Sequence, residues 1–352
     1  MRSLFLSRLC LRKKPFALDV RNLGSVRLLS ETPLCHIVGA RHCGSNSRDG
    51  DVGKLVIRNL TASAKTLEKT VPMDLMKETG TIGASQGWVA TLKDGVVCLQ
   101  DDLNPSASDS DPKRITLPPL VTLPHCQTQL VTNVAMSSSS PEDNDCIVAV
   151  KFQGPQLSLC RPALKDKSEW VNIRIEDPSL VSSQVTYSKR DKMFSIPGSG
   201  GTHTRSWDLE KHILREFDNL PSFEFVQSKW ERLLPACRSH HLVESPSGHT
   251  FLVKWYTRCY DTGMRHTEHF SVFKIIGNDD VAHATADIGD LCIFLSHKGE
   301  PFCLQASLYG LSPNFIYYLG SHDYGKYSLR YNEKVAVGFA KFPAPYFIPP
   351  QS

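Results

Sequence analysis

The chain has 352 residues with 40 Lys and Arg against 36 Asp and Glu, a formal charge of +4 that is unevenly distributed. Residues 1–30 carry seven bases and one acid, so the remaining residues have 33 bases and 35 acids. This slightly acidic body argues against a nucleic-acid-binding domain, because phosphate binding requires an excess of Lys and Arg on one face. Hydrophobic residues make up 41%, which excludes a largely disordered chain, and the apolar runs are too short for membrane insertion.

Residues 1–29 have the composition of a mitochondrial transit peptide, rich in Arg, Ser and Leu and nearly free of acids. A secretory signal needs an unbroken apolar core, and Arg8 and the basic residues 12–14 interrupt every such run. Residues 27–30 resemble a processing site, so we predict cleavage after Leu29 and a location in the mitochondrial matrix. A plastid or dual address, and a basic tail of a cytosolic protein, remain alternatives. The seven bases are Arg2, Arg8, Arg12, Lys13, Lys14, Arg21 and Arg27.

The eleven cysteines are an odd number at scattered spacings in a large chain, which does not fit a disulfide framework. Several lie inside β-prone runs, where a free thiol acts as a small buried apolar group. We therefore predict that they are reduced. They are Cys10, Cys35, Cys43, Cys98, Cys126, Cys146, Cys160, Cys237, Cys259, Cys292 and Cys303.

From about residue 54 onward, pairs of β-prone runs are joined by tight polar turns. In the clearest pair, residues 88–92 and 96–99 flank Asp94-Gly95, a dipeptide that favours the positive φ of a hairpin turn. Helical periodicity is scarce; residues 219–237 could hold one short helix and residues 73–77 a turn. Later turns centre near residues 154, 190, 211, 247, 278 and 299, and two hairpins per unit give a repeat close to that of a propeller blade.

These features predict an all-β fold, a single β-propeller of about five to seven four-stranded blades over residues 54–345. A β-sandwich rarely contains so many hairpins, and the helical crossovers of an α/β fold are missing. Residues 30–53 are rich in Gly, Ser and Arg without periodicity, so we predict a linker there, and a C-terminal tail over residues 346–352.

Short motifs in this body resemble, in order, those of the plant KIB-type β-propeller family, many of whose members carry an F-box in front. The resemblance covers about residues 55–340 and implies a propeller fold, plant origin and, for a chain with a leader, an organellar branch. No F-box pattern precedes residue 80, so recruitment to a ubiquitin ligase is not implied, and neither is any catalytic residue. The matching motifs include Gly87-Trp88-Val89, Leu103-Asn104-Pro105, Leu159-Cys160-Arg161-Pro162, Trp207-Asp208-Leu209, His241-Leu242-Val243-Glu244 and Asn314-Phe315-Ile316-Tyr317.

No nucleotide-binding, metalloprotease, nucleophile-elbow or Cys-x-x-Cys motif is present, so we assign no catalytic, cofactor-binding or metal-binding residue and expect no cofactor. Asp101-Asp102 and Asp279-Asp280 fit turn acids, and Asp208 fits a structural residue at a strand end. The tryptophans fit blade packing better than base stacking. The densest metal-like group, which we interpret as structural, comprises Cys237, His240, His241, Cys259, His266 and His269.

A repeat-built all-β body without a catalytic constellation favours a non-catalytic organellar scaffold or adaptor that binds an unidentified protein partner. Two other classes stay open. An enzyme could draw its carboxylates from several blades around the central channel, where sequence spacing would not reveal them. An organellar RNA-binding protein would need a local basic stripe on the acidic body. The sequence leaves monomer or oligomer open.

Overall fold

In the computed structural model, the described residues are 34–60, 64–216, 237–276, 281–339 and 346–350. Within them, 25 strands form six mostly antiparallel sheets, which are the blades A to F of a β-propeller. This confirms the predicted fold and sets the blade count at six. The same residues contain four short 3₁₀ turns, one of them at the predicted turn after residue 72, and no helix that is long and apolar enough to cross a membrane.

The strands of each blade follow one another in the sequence, except in blade A, which also contains the last strand. The bounds are: blade A, β1 Cys35–Asn46, β2 Gly50–Asn59, β3 Ala64–Pro72 and β25 Phe347–Ile348; blade B, β4 Gly83–Ser85, β5 Trp88–Lys93, β6 Val96–Gln100 and β7 Arg114–Pro119; blade C, β8 Val131–Met136, β9 Val148–Phe152, β10 Gln156–Cys160 and β11 Val171–Arg174; blade D, β12 Thr186–Ser188, β13 Met193–Pro197, β14 His203–Trp207 and β15 His212–Glu216; blade E, β16 Cys237–Glu244, β17 Thr250–Cys259, β18 Arg265–Ile276 and β19 Val281–Ala284; blade F, β20 Leu291–Ser296, β21 Phe302–Gln305, β22 Phe315–Leu319, β23 Asp323–Ser328 and β24 Glu333–Phe339.

The hairpin turns follow from local sequence. Between β5 and β6, Lys93 pairs with Val96 across a two-residue loop. Asp94 and Gly95 have φ of 51° and 75°, the left-handed values that such a turn needs. Asp-Gly was the correct signal because few other dipeptides adopt this geometry without strain.

The core lies between neighbouring blades, as the alternating side chains of the strands require. Trp88, Trp207 and Trp255 are buried in three of these layers, and this confirms blade packing as their role. Trp230 lies outside the described residues. The nine described cysteines are all free thiols, and five of them are buried.

The ring is closed by the C-terminal strand. In β25, Phe347 and Ile348 pair with His36 and Cys35 of β1, and the Tyr346 carbonyl accepts a hydrogen bond from the Ile37 amide at 2.8 Å. The predicted tail over residues 346–352 is therefore wrong for this strand, whose aromatic and aliphatic side chains are buried.

The predicted linker over residues 30–53 is also wrong where the structure describes it. Residues 35–53 form β1, the turn at residues 47–49 and the start of β2, with bulges at Val38 and Cys43, which directly precede Gly39 and Gly44. The glycines and polar residues that indicated a linker serve bulges and an exposed hairpin end. Residues 1–29 and most of 219–237 lie outside the described residues.

Blade F departs from the pattern of the other blades. It has five strands, and β20 pairs with β22 in parallel, because β21 returns along the other side of β20. The sequence reading missed β23, whose alternation is interrupted by Gly325 and Lys326. The hairpin that joins β20 to β21 therefore lies at the edge of blade F that faces the centre of the ring.

Candidate functional site

The connection from β20 to β21 passes through the centre of the ring. We call residues 297–301 the channel plug. The Glu300 amide donates to the Ala84 carbonyl at 2.8 Å, and Gly299 forms an isolated bridge with Ala84 of blade B. From blade D, the Gln184 amide nitrogen donates to the His297 carbonyl at 2.7 Å. The plug thus belongs to blade F and bonds to two other blades, leaving a cavity at each end.

The first cavity has a volume of about 260 Å³, and we call it the carboxylate mouth. Its wall combines two acids, a lysine and aromatic side chains: Ser85, Tyr187, Lys189, Glu244, Glu300, Phe302 and Phe347.

Glu300 joins three blades at this mouth. One carboxylate oxygen accepts a hydrogen bond from the Tyr187 amide at 2.9 Å, and the other accepts one from the Ser85 hydroxyl. The Ser85 hydroxyl oxygen in turn accepts the Met136 amide at 3.0 Å. Burial raises the pKa of Glu300 to about 7, although the bonds from Ser85 and Tyr187 act in the opposite direction.

Glu244 is the second carboxylate of this mouth. Its Oε1 accepts a hydrogen bond from the Arg190 amide at 3.1 Å. Its Oε2 is buried and has no hydrogen-bond partner among the described residues. This carboxylate therefore retains unused acceptor capacity beside a cavity.

The second cavity, of about 430 Å³, lies at the opposite end of the plug, and we call it the cationic mouth. It is defined by Gln184, Arg238, His241, Arg265, His297, Lys298 and Asp323.

The floor of the cationic mouth is a neutral hydrogen-bonded chain. His241 Nδ1 lies 2.9 Å from the Gln184 amide oxygen, and Ser239 Oγ lies 2.9 Å from His241 Nε2. An amide oxygen only accepts, so Nδ1 carries the proton and Nε2 accepts from Ser239. Burial lowers the pKa of His241 to about 3, so the ring is neutral.

The carboxylate of this mouth, Asp323, has a structural role. Asp323 is 1% exposed and accepts the Thr267 amide at 2.7 Å and the Thr267 hydroxyl at 3.1 Å. Trp255 donates its indole N–H to the same hydroxyl oxygen at 3.0 Å. Asp323 thereby ties blade F to blade E.

The cations that line this mouth are Arg238, Arg265 and Lys298. The pKa of His297 is lowered by desolvation and then by the charges of Lys298 and Arg265. Asp323 is the only carboxylate among the described residues that line the cavity.

The residues singled out as a metal-like group do not converge. His240 and His241 lie on β16, Cys259 on β17, and His266 and His269 on β18. In the described part of the chain no three His, Cys, Asp or Glu side chains form a group that could hold a metal ion. His269 instead contacts the hydroxyls of Tyr327, at 2.6 Å, and Ser271, at 3.2 Å. The side chain of Cys237 is outside the described part.

The acids interpreted as structural have structural partners. Asp102 is 2% exposed and binds Arg114 through two bonds of 2.7 and 3.0 Å, while Asp101 accepts the Lys113 amide at 2.8 Å. Asp208 accepts the amides of residues 210 and 211 at 2.7 Å, as a strand-end acid does. Asp279 and Asp280 lie outside the described residues.

Sequence reasoning missed the residues that meet at the axis. Glu300 stood in what looked like an ordinary turn at residues 298–300, and Gln184 and Asp323 carried no motif. Glu244 was noted only as the last residue of the family motif that begins at His241. The sequence offered one weak signal for Glu300. The pair Gly299-Glu300 follows an apolar strand, and it places a carboxylate next to flexible backbone. The three-blade contact itself depends on tertiary placement.

A ring of six blades with a C-terminal closing strand defines the class of the protein as a six-bladed β-propeller. The chain belongs to the KIB1-4 β-propeller family, whose model matches residues 58–334. This confirms the family resemblance.

Two solved structures show remote similarity to the chain. A periplasmic gluconolactonase of Pseudomonas aeruginosa shares 10% identity, with 90% of this chain and 99% of that chain covered and a TM-score of 0.40. The N-terminal part of BBS1, solved in complex with ARL6, shares 13% identity over 74% of this chain and 85% of that chain, with a TM-score of 0.27. Neither similarity supports an argument about activity. No curated protein matches the chain.

Proposed function

We propose that this KIB-family propeller is a non-catalytic scaffold that binds a protein partner in the mitochondrial matrix. The observation that carries the proposal is the channel plug, because the chain's own backbone fills the axis where a propeller could hold a substrate. The Glu300, His241 and Asp323 side chains, which could have served chemistry there, each hold neighbouring blades together.

A scaffold needs exposed surface that is not used for folding. The outermost strand of blade F, β24, offers Val335 and Val337, which are 47% and 50% exposed, next to Tyr331, which is 70% exposed. Val335 and Val337 are two residues apart and so project from the same face of the strand. Apolar side chains grouped at an edge strand are typical of protein contact surfaces.

The mitochondrial part of the proposal rests on the charge of residues 1–29. It is supported by the position of the first strand, since cleavage after Leu29 would leave β1 and all later strands intact. N-terminal sequencing of the protein isolated from plant mitochondria tests it. An N-terminus outside about residues 25–45, or diffuse cytosolic fluorescence of a full-length fusion, would contradict it.

Affinity capture of the mature protein from isolated mitochondria tests the scaffold role. We expect a stoichiometric protein companion that is lost in a Tyr331→Ser, Val335→Thr, Val337→Thr variant. The matched control changes exposed apolar residues of blade C, Leu164→Ser and Val171→Thr, and should retain the companion. Recovery of no stoichiometric companion would count against the proposal.

A specific observation favours an enzyme as the second candidate. Glu300 has a pKa raised to about 7 and faces the same cavity as Glu244, whose Oε2 is buried and unpaired. A carboxyl group that titrates near pH 7 suits general acid–base catalysis. Turnover of a small metabolite that a Glu300→Gln variant abolishes would establish this candidate and overturn the scaffold.

A further inference from the structure

The outer parts of blades C and D enclose a further cavity, of about 300 Å³, which we call the C–D cavity. This volume is at the lower end of the usual range for small-molecule sites. One wall is formed by β11 and residues 175–176, and the other by the hairpin of β14 and β15. A small ligand would meet an apolar surface on both walls, which is formed by Val171, Ile173, Ile175, Trp207 and Leu209.

Arg205 on β14 lines this cavity without a partner. Its side chain makes no hydrogen bond and no ion pair with any described residue, and its Nε is buried. By contrast, Arg215 on the neighbouring strand β15 binds Asp191 at 2.9 Å. A buried N–H without an acceptor destabilises a fold, and most buried polar groups are hydrogen-bonded. Arg205 therefore requires an explanation other than support of the fold.

Trp207 supplies a second donor without a partner. Trp88, Trp170 and Trp255 donate their indole N–H to an oxygen at 2.9, 2.7 and 3.0 Å. The indole N–H of Trp207 has no such partner among the described residues, although this residue is only 6% exposed. Trp207 and Arg205 are two residues apart on one strand, so their side chains project from the same face of β14. Two unused donors of one face therefore line the same cavity.

The charges of the other lining residues limit the kind of ligand. Arg174 donates to a backbone carbonyl, and Lys211 lies 3.9 Å from Asp208, so both cations have partners. Arg205 thus offers one unpaired positive charge, which matches a ligand with a single negative charge. A multiply charged anion would be repelled by the acids of the same lining. These acids are Glu176, Asp208 and Glu210, and His212 completes the ionisable lining.

We propose that the C–D cavity binds a small monocarboxylic acid with an apolar body, independently of the proposed scaffold. The carboxylate accepts hydrogen bonds from the Arg205 guanidinium and the Trp207 indole N–H, since a guanidinium can bind a carboxylate through two parallel bonds. The terminal nitrogens of Arg205 bind it, because they are not enclosed as Nε is. The apolar body lies against Ile173 on one wall and Leu209 on the other.

Isothermal titration of the full-length protein with phenylacetate and with isocaproate tests this proposal. The amides of the two acids are the matched neutral probes, because they keep the apolar body and lose the charge. We expect saturable binding of at least one acid, at least about tenfold tighter than its amide, which corresponds to about 1.4 kcal/mol. An amide that binds as tightly as its acid would show an apolar cavity without carboxylate recognition and would overturn the proposal.

Variants of the two donors locate the bound acid. Arg205→Gln should weaken its binding at least about tenfold, and Trp207→Phe, which keeps an aromatic ring, about threefold. The matched control is Arg161→Gln, which changes an exposed arginine outside the cavity lining and should bind as the unchanged protein does. Undiminished binding by Arg205→Gln would assign the acid to another surface, such as the basic residues 1–30, and overturn the proposal. Absence of saturation by both acids up to about 10 mM would also overturn it.

Stability without ligand gives an independent readout of Arg205. Arg205→Met keeps the apolar stem and removes the guanidinium, so no partner is lost and one unsatisfied N–H disappears. We expect the melting temperature without ligand to stay equal or to rise, and the increase that saturating acid causes in the unchanged protein to be lost. A fall of more than about 4 °C would show that Arg205 supports the fold, and it would contradict the proposal.

A protein can present the same chemistry, since an acidic side chain among apolar ones also joins a carboxylate to an apolar body. A capped peptide with one glutamate between two leucines distinguishes these sources. Binding of that peptide, without binding of either small acid, would assign the cavity to a protein ligand and contradict the proposal.

Discussion

The two mouths of the channel share one plug but differ in what their side chains do. At the carboxylate mouth, the ionisable side chain at the centre, Glu300, is bonded to blades B and D. At the cationic mouth, the bonded groups form the floor, Gln184 and His241, while Arg238 and Arg265 are exposed at the rim. The comparison shows that the central carboxylate of one end connects blades, whereas the two arginines of the other end lie on its exposed rim.

The largest effect should come from the floor of the cationic mouth. Gln184→Leu removes the acceptor of His241 and the donor to the His297 carbonyl, so buried polar groups lose their partners. We expect the free energy of unfolding to fall by about 3 kcal/mol. Urea unfolding measures it, with Gln153→Leu, an exposed glutamine of the same cavity, as the control. A loss below about 1 kcal/mol would show that the floor does not hold the blades.

Low pH should destabilise the protein through His241, which lies in the same floor. His241 has a folded-state pKa lowered to about 3 from 6.5, so the unfolded state binds its proton first as the pH falls. Its stabilisation is complete above pH 6.5 and declines toward pH 3, by about 2 kcal/mol at pH 5. NMR titration of the ring should show no protonation at pH 5. A midpoint near 6.5 would contradict the buried, neutral ring.

The carboxylate mouth should respond to pH in the opposite direction. Glu300 has a folded-state pKa raised to about 7 from 4.5, so its stabilisation is complete below pH 4.5 and is lost as the pH rises through 7. Because Gln mimics the protonated acid, Glu300→Gln should be more stable than the unchanged protein by about 3 kcal/mol at pH 8 and by less than about 1 kcal/mol at pH 5. Thermal unfolding at both pH values measures this. A pH-independent difference would show that Glu300 does not titrate in this range.

The smallest effect should be at the exposed rim. Arg265→Gln removes a side chain that is exposed at the cationic mouth, so stability should change by less than about 0.5 kcal/mol. Denaturant unfolding checks this value. A larger loss would mean that Arg265 supports the fold, and the distinction between the two mouths would fail.

The repeating hairpins of the blades could be predicted from the sequence, but few of the contacts at the centre of the ring could be. Hairpins such as that at Asp94-Gly95, and the burial of Trp88, Trp207 and Trp255, follow from local chemistry that repeats from blade to blade. The closing strand at Phe347–Ile348 could not be read, because two residues carry no periodicity and their partner, β1, is more than 300 residues away in the chain.

The site was hidden for a related reason. Ser85, Tyr187 and Glu300 come from three blades and meet because the ring closes, so no spacing in the sequence connects them. Polar residues such as Gln184 look like surface residues until the fold buries them. The Cys and His residues from 237 to 269 resemble a metal-binding group because they are close in the sequence, although strand alternation separates their side chains.

Amide hydrogen exchange across the ring tests the central claim most directly, because the difference between the mouths depends on a plug that is bonded in place. The amides of Glu300 and Tyr187, which donate to Ala84 and Glu300, should exchange at least about a hundredfold more slowly than those of residues 261 and 262 in an exposed turn. Exchange of Glu300 and Tyr187 as fast as in that turn would show that the axis is open, and it would contradict the account.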